Sequence, residues 1–119
     1  MPQEENELRS PRLSEELEER LRPSRYLGYD RDHLGVALLR REMFEAAESQ
    51  FRRAVYLNPF ESSFKQHLAW CLYRLERHDE ALRVVDQAME QAPGDGDAQI
   101  VRERILADME KAHARRRVD

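Results

Sequence analysis

Two prolines 34 residues apart, Pro59 and Pro93, close two copies of one pattern. At that interval Leu34 pairs with Leu68, Leu38 with Leu72, Ala47 with Ala81 and Ala54 with Ala88. His33/His67, Arg40/Arg74 and Glu42/Glu76 repeat outright, while Phe51/Val85 and Val55/Met89 keep only their apolar character. A fixed period of this length marks a stacked helical array, in which one unit cannot bury its apolar face alone and its neighbours do so. With four Gly and five Pro in 119 residues there is little turn material for a sheet-rich alternative. The expectation is an all-α fold of helical hairpins, about six helices in total.

The chain divides along this pattern. Residues 1–12 are polar and Glu-rich and read as a flexible acidic N-terminus. Residues 13–27 read as a short helix and linker: Leu13, Leu17 and Leu21 make a thin stripe, Ser14 suits an N-cap, and Pro23 closes the run. That helix has too little apolar surface to stand alone, so it docks on the repeats or pairs with another chain. The first unit spans 28–61, with helices near 29–41 and 44–57; Leu34, Ala37, Leu38 and Arg41 share one side of its first helix. Ala47, Phe51, Ala54 and Val55 face inward from its second. The second unit spans 62–95, with helices near 63–75 and 78–91 and Leu68, Cys71, Leu72, Leu75, Ala81, Val85, Ala88 and Met89 inward. After the break at Gly94-Asp95-Gly96-Asp97, a capping helix over 96–115 carries Ala98, Val101, Ile105, Met109 and Ala112 on one stripe, and 116–119 form a tail.

These residues resemble the tetratricopeptide repeat family, whose signature runs W-x2-L-G-x2-Y, A-x3-F, P. The first unit supplies Leu34-Gly35, Leu38, Ala47, Phe51 and Pro59; the second supplies Leu68-Ala69, Leu72, Ala81, Val85 and Pro93. Arg31 and Lys65 stand in the tryptophan slots, and Ala69 replaces the second glycine. The resemblance implies a non-catalytic protein-interaction module, an adaptor or scaffold that holds a peptide or partner protein in a concave groove.

Helical spacing puts Tyr29, Asp32, Val36, Leu39 and Arg40 on the groove side of the first unit, and Ser63, Gln66, Trp70, Tyr73 and Arg74 on that of the second. Aromatic and arginine side chains dominate binding energy at interfaces, which singles out Trp70, Tyr73, Arg40 and Arg74. Arg104 joins them as a further cation for acidic partner side chains. The bland alternative is that Trp70 and Leu39 pack against a terminal helix. The groove lacks the lysine–asparagine set with which some members of the family grip a C-terminal carboxylate. Two units are fewer than stacked repeats usually need, so a homo-oligomer that fills its own groove is a rival reading. A secretion-type chaperone for one client is another.

Other chemistry finds no footing. His33 and His67 are equivalent in the repeat, but no convergent set of further ligands accompanies them, so no metal or cofactor is expected. Cys71 takes the small inward slot of Ala37 and reads as a buried hydrophobe, and no phosphate loop or nucleophile motif occurs. The formal charge of -4 disfavours nucleic acid as a partner, and Arg115-Arg116-Arg117 reads as favourable charge at a helix C-terminus. No apolar run is long enough to span a membrane, and one cysteine suits a reducing, cytoplasmic setting.

Overall fold

The computed structural model describes residues 26–118. They form five helices: α1 (Tyr29–Arg40), α2 (Phe44–Leu57), α3 (Ser62–Arg74), α4 (His78–Gln91) and α5 (Gly96–Val118). The expected helix at Leu13–Leu21 lies outside the described residues. Each hairpin turns in the same way. In the first, the N–H of Met43 donates to the Leu38 carbonyl and that of Glu42 to Leu39; in the second, Arg77 donates to Leu72 and Glu76 to Tyr73. This is the paired bonding that ends a helix on a left-handed residue, a position glycine usually takes. Here glutamate takes it twice, with φ 59° at Glu42 and 63° at Glu76.

The prolines act through the residue before them. Asn58 (φ -145°, ψ 82°) and Ala92 (φ -138°, ψ 77°) leave helical geometry ahead of Pro59 and Pro93, as the proline ring demands. Asp95 starts α5 by accepting the N–H of Asp97 on its side chain at 3.0 Å. The helix begins at Gly96, and its 23 residues run through the basic end to Val118. Arg115, Arg116 and Arg117 complement the negative end of the helix dipole, which favours that extension.

The core follows the period wherever a unit has a neighbour on both sides. Ala47, Phe51, Ala54, Cys71, Leu72, Ala81, Val85, Ala98 and Ile105 are shielded, as is Phe64, which the repeat pattern had not marked. Gly35 is required by contact: a methyl there would sit 2.5–2.9 Å from three ring atoms of Phe51. In the second unit the same register sets Ala69 against Val85, a larger residue facing a smaller one. Gly28 is required by conformation, with φ 90° at the start of α1.

Two expected packing positions differ. Leu34 is 44% exposed although its equivalent Leu68 is 4% exposed. Ala37 is likewise exposed where Cys71 is buried. Burial of these residues needs a helix stacked on the outer side, and α1 has none among the described residues, whereas α3 has α2.

Stacking also sets the curvature. Cα atoms of α1 and α3, and of α3 and α5, approach within 8 Å, but those of α2 and α4 do not. The first helices of the units therefore form the inner side and the second helices splay outward. Long side chains span the outer gap. Glu48 meets Arg52 at 2.7 Å and Arg77 at 2.8 Å, and Glu80 meets Arg52 at 2.5 Å and Arg77 at 2.6 Å. Two carboxylates and two guanidiniums thus alternate in a closed ring that ties α2 to α4.

Candidate functional site

The inner side is built from α1, α3 and the first half of α5, and the period repeats across all three. Positions 36, 70 and 104 hold Val36, Trp70 and Arg104; positions 39 and 73 hold Leu39 and Tyr73; positions 40, 74 and 108 hold Arg40, Arg74 and Asp108. Val36, Leu39 and Trp70 are half-buried and packed against the core, leaving an apolar strip with outward faces. The indole of Trp70 leans on the Tyr73 ring at 5.0 Å between centroids. Arg40, Arg74 and Arg104 are exposed along its margin.

Other groove residues are committed to holding the helices together. Asp32 is 4% exposed and its carboxylate meets His67 Nδ1 at 2.7 Å, which joins α1 to α3. Tyr29 donates its hydroxyl to Glu61 and packs edge-on against Phe64 at 4.9 Å. That bond, followed by burial, pushes the Tyr29 phenol up to about 12, and the same bond, against the effect of burial, holds the Glu61 carboxyl below the usual range. Tyr73 is 8% exposed, donates to Asp108 and accepts from Arg104 Nε at 3.1 Å. The Tyr73 bond is the main reason the Asp108 carboxyl titrates below the usual range. Gln66 and Ser63 are half-buried on α3. Tyr73 is thus the floor of the groove and the anchor of α5, while Trp70 stands beside it with part of its ring open.

Sequence reasoning missed a second part of this surface. Where α5 runs past the α3–α4 turn it leaves a cleft of about 590 Å³ lined by Tyr73, Arg74, Glu76, His78, Asp108, Lys111, Ala112, Arg115 and Arg116. Cations outnumber carboxylates there, and the Asp108 carboxylate is already engaged by Tyr73. Positions 108, 111, 112 and 115 share one face of a helix and all lie within the capping helix expected over 96–115, so the signal was present in the spacing. Arg74 is steadied over the Phe44 ring at 4.9 Å and lies 3.5 Å from Glu42.

Cys71 is fully buried, donates to the Phe44 carbonyl at 3.0 Å, and has its thiol pushed up to about 11 by burial. A thiol held neutral in this way is a poor nucleophile and a poor metal ligand. No three His, Cys, Asp or Glu side chains of the described residues gather as a metal site would require. None of the described helices is long and apolar enough to cross a membrane.

Comparison with known proteins agrees with this architecture. One similar protein is the cell division cycle protein 27 homolog B of Arabidopsis thaliana, 39% identical over 56 residues. That match covers 47% of this chain and only 8% of the relative, so it reports on a part of each protein and not on the whole of the larger one. A family model described as tetratricopeptide repeat matches residues 34–105, more than half of the chain, including both prolines and the buried half of α5. With the period, the paired hairpins and that match in agreement, the chain belongs to the tetratricopeptide repeat family.

Proposed function

We propose that this protein is a non-catalytic interaction module, an adaptor that holds a segment of a partner protein along its inner side. The observation that carries the reading is the strip Val36, Leu39 and Trp70, half-open to solvent on the concave side of the array and bordered by Arg40, Arg74 and Arg104. Apolar side chains of the partner cover the strip, and its acidic side chains meet the arginines and the cationic cleft beside α5. Tyr73 acts as a positioning residue, because Asp108 and Arg104 already hold its hydroxyl. A shallow, repeat-built surface of this kind suits an extended or helical segment better than a small molecule.

The test uses Trp70, the one tryptophan of the chain, as both probe and target. Tagged protein captures partners from source lysate beside a Val36→Asp/Trp70→Ala variant, with the urea midpoint of each measured first. A partner held in the groove is lost from the variant at equal stability, and adding purified partner to the wild type shifts Trp70 emission to shorter wavelength. Equal recovery by both proteins, with unchanged emission, would rule the groove out.

A further inference from the structure

The cleft beside α5 concentrates positive charge on a chain whose formal charge is -4. Arg74, Lys111, Arg115 and Arg116 converge there, and two carboxylates, Glu76 and Asp108, line it with them. Asp108 already accepts a hydrogen bond from Tyr73, which commits it to holding α5 on α3.

Two helices aim these cations at one opening. Arg104, Lys111 and Arg115 are spaced by seven and then four residues, which keeps them on one face of α5, and all three are exposed. Arg74 approaches from α3, steadied over the Phe44 ring at 4.9 Å. Tyr73 belongs both to the floor of the groove and to the wall of the cleft, with Trp70 leaning on it at 5.0 Å. The apolar strip and the cleft are therefore one continuous surface.

We infer that the cleft receives a phosphorylated serine or threonine of the partner segment whose apolar side chains cover Val36, Leu39 and Trp70, an inference that rests on the groove reading above. A phosphate monoester carries about two negative charges near neutral pH and three acceptor oxygens. Four cations against two carboxylates leave an excess of the same size, which one dianion cancels and one carboxylate side chain does not. Guanidinium forks take up such oxygens in pairs. At about 590 Å³ the cleft admits a phosphoryl group together with the side chains that flank it. A nucleic-acid backbone fits less well, because a run of phosphates needs positive charge along its whole path. The hollow on the adjoining face of α5 is lined by Glu76, Asp79 and Glu110 against Arg116.

Three peptide libraries test this, each degenerate around a fixed centre: phosphoserine and phosphothreonine mixed, the unmodified pair, or aspartate. The full chain on beads, in about 0.15 M salt, should retain the phosphorylated library at least about tenfold more than either of the others, with apolar residues enriched beside the phosphate. Lys111→Ala/Arg115→Ala, with its urea midpoint checked first, should erase the phosphate preference and leave the apolar enrichment in place. Val36→Asp/Trp70→Ala should do the reverse. The proposal fails if phosphorylated and unmodified libraries are retained equally, or if aspartate serves as well, which would make the cleft a site for acidic side chains in general. It fails equally if the preference survives the loss of Lys111 and Arg115, or if a short single-stranded RNA is retained more tightly than the phosphorylated library. The groove reading fails separately, when the apolar enrichment does not respond to Val36→Asp/Trp70→Ala.

Discussion

Replacing Gly35 with alanine puts a methyl 2.5, 2.7 and 2.9 Å from three ring atoms of Phe51, a residue with no exposed surface. Carbon atoms settle at about 3.5–4.0 Å, so the ring has to retreat by about an ångström in a close-packed core. Overpacking of this kind costs about 1–3 kcal/mol, and contact with three atoms of a rigid ring argues for the upper half of that range. Alanine returns about 1 kcal/mol through helix propensity, leaving a net loss of about 1–2 kcal/mol. Phe51→Val alone removes most of a buried ring and should cost about 2–3 kcal/mol, somewhat less than truncation to alanine. The second unit suggests the remedy, because it carries Ala69 with Val85 at these positions. In Gly35→Ala/Phe51→Val the clash disappears, the methyl fills part of the void, and the propensity gain remains. The double variant should therefore be about 2–3 kcal/mol more stable than the sum of the two single losses predicts. Urea titrations followed by circular dichroism give the four midpoints, and unchanged slopes would show that only stability moved. If the two losses add within about 0.5 kcal/mol, Gly35 and Phe51 are not the coupled pair described here.

Four further outcomes can be checked on the purified protein. Glu76→Gly should raise stability by about 0.5–1 kcal/mol, read as a higher melting temperature, because glutamate sits in left-handed geometry that glycine adopts freely. Glu42→Gly should gain less, since it also gives up the contact with Arg74. Stability should fall under acid: Arg52 and then Arg77 hold Glu80 below its ordinary value, and Tyr29 and Tyr73 do the same for Glu61 and Asp108. A depressed folded value means the contribution is present above the unfolded carboxylate range, near 4–4.5, and is lost as pH drops toward the folded values; Glu80→Gln should flatten the fall of the urea midpoint between pH 7 and pH 3. Cys71 should react with a disulfide reagent at pH 8 only as fast as the protein opens, and with full stoichiometry once unfolded in urea, so rapid reaction of the folded chain would contradict its burial.

Much of this protein was legible because a repeat compares a sequence with itself. The inward set of α2, α3 and α4 followed from spacing, and so did the places where Pro59 and Pro93 end their helices. The candidate site was legible only in part. Val36, Leu39 and Trp70 fall on the inner strip, but Asp32 and Tyr73 share the same helix face and are consumed by His67, Asp108 and Arg104. Helical spacing specifies a direction from one helix; it does not say which partner waits there on the next. The cationic cleft was missed for a related reason, since it forms only where α5 runs past the α3–α4 turn.

The residue order alone determined the period, the hairpins and the identity of the packing positions, because those are local properties of a chain with 3.6 residues per turn. Tertiary structure decided which of those positions are used. Leu34 and Leu68 are the same residue in the same slot, yet one is 44% exposed and the other 4%. Burial belongs to a residue and its neighbour together, and the neighbour is set by the stacking of the whole array.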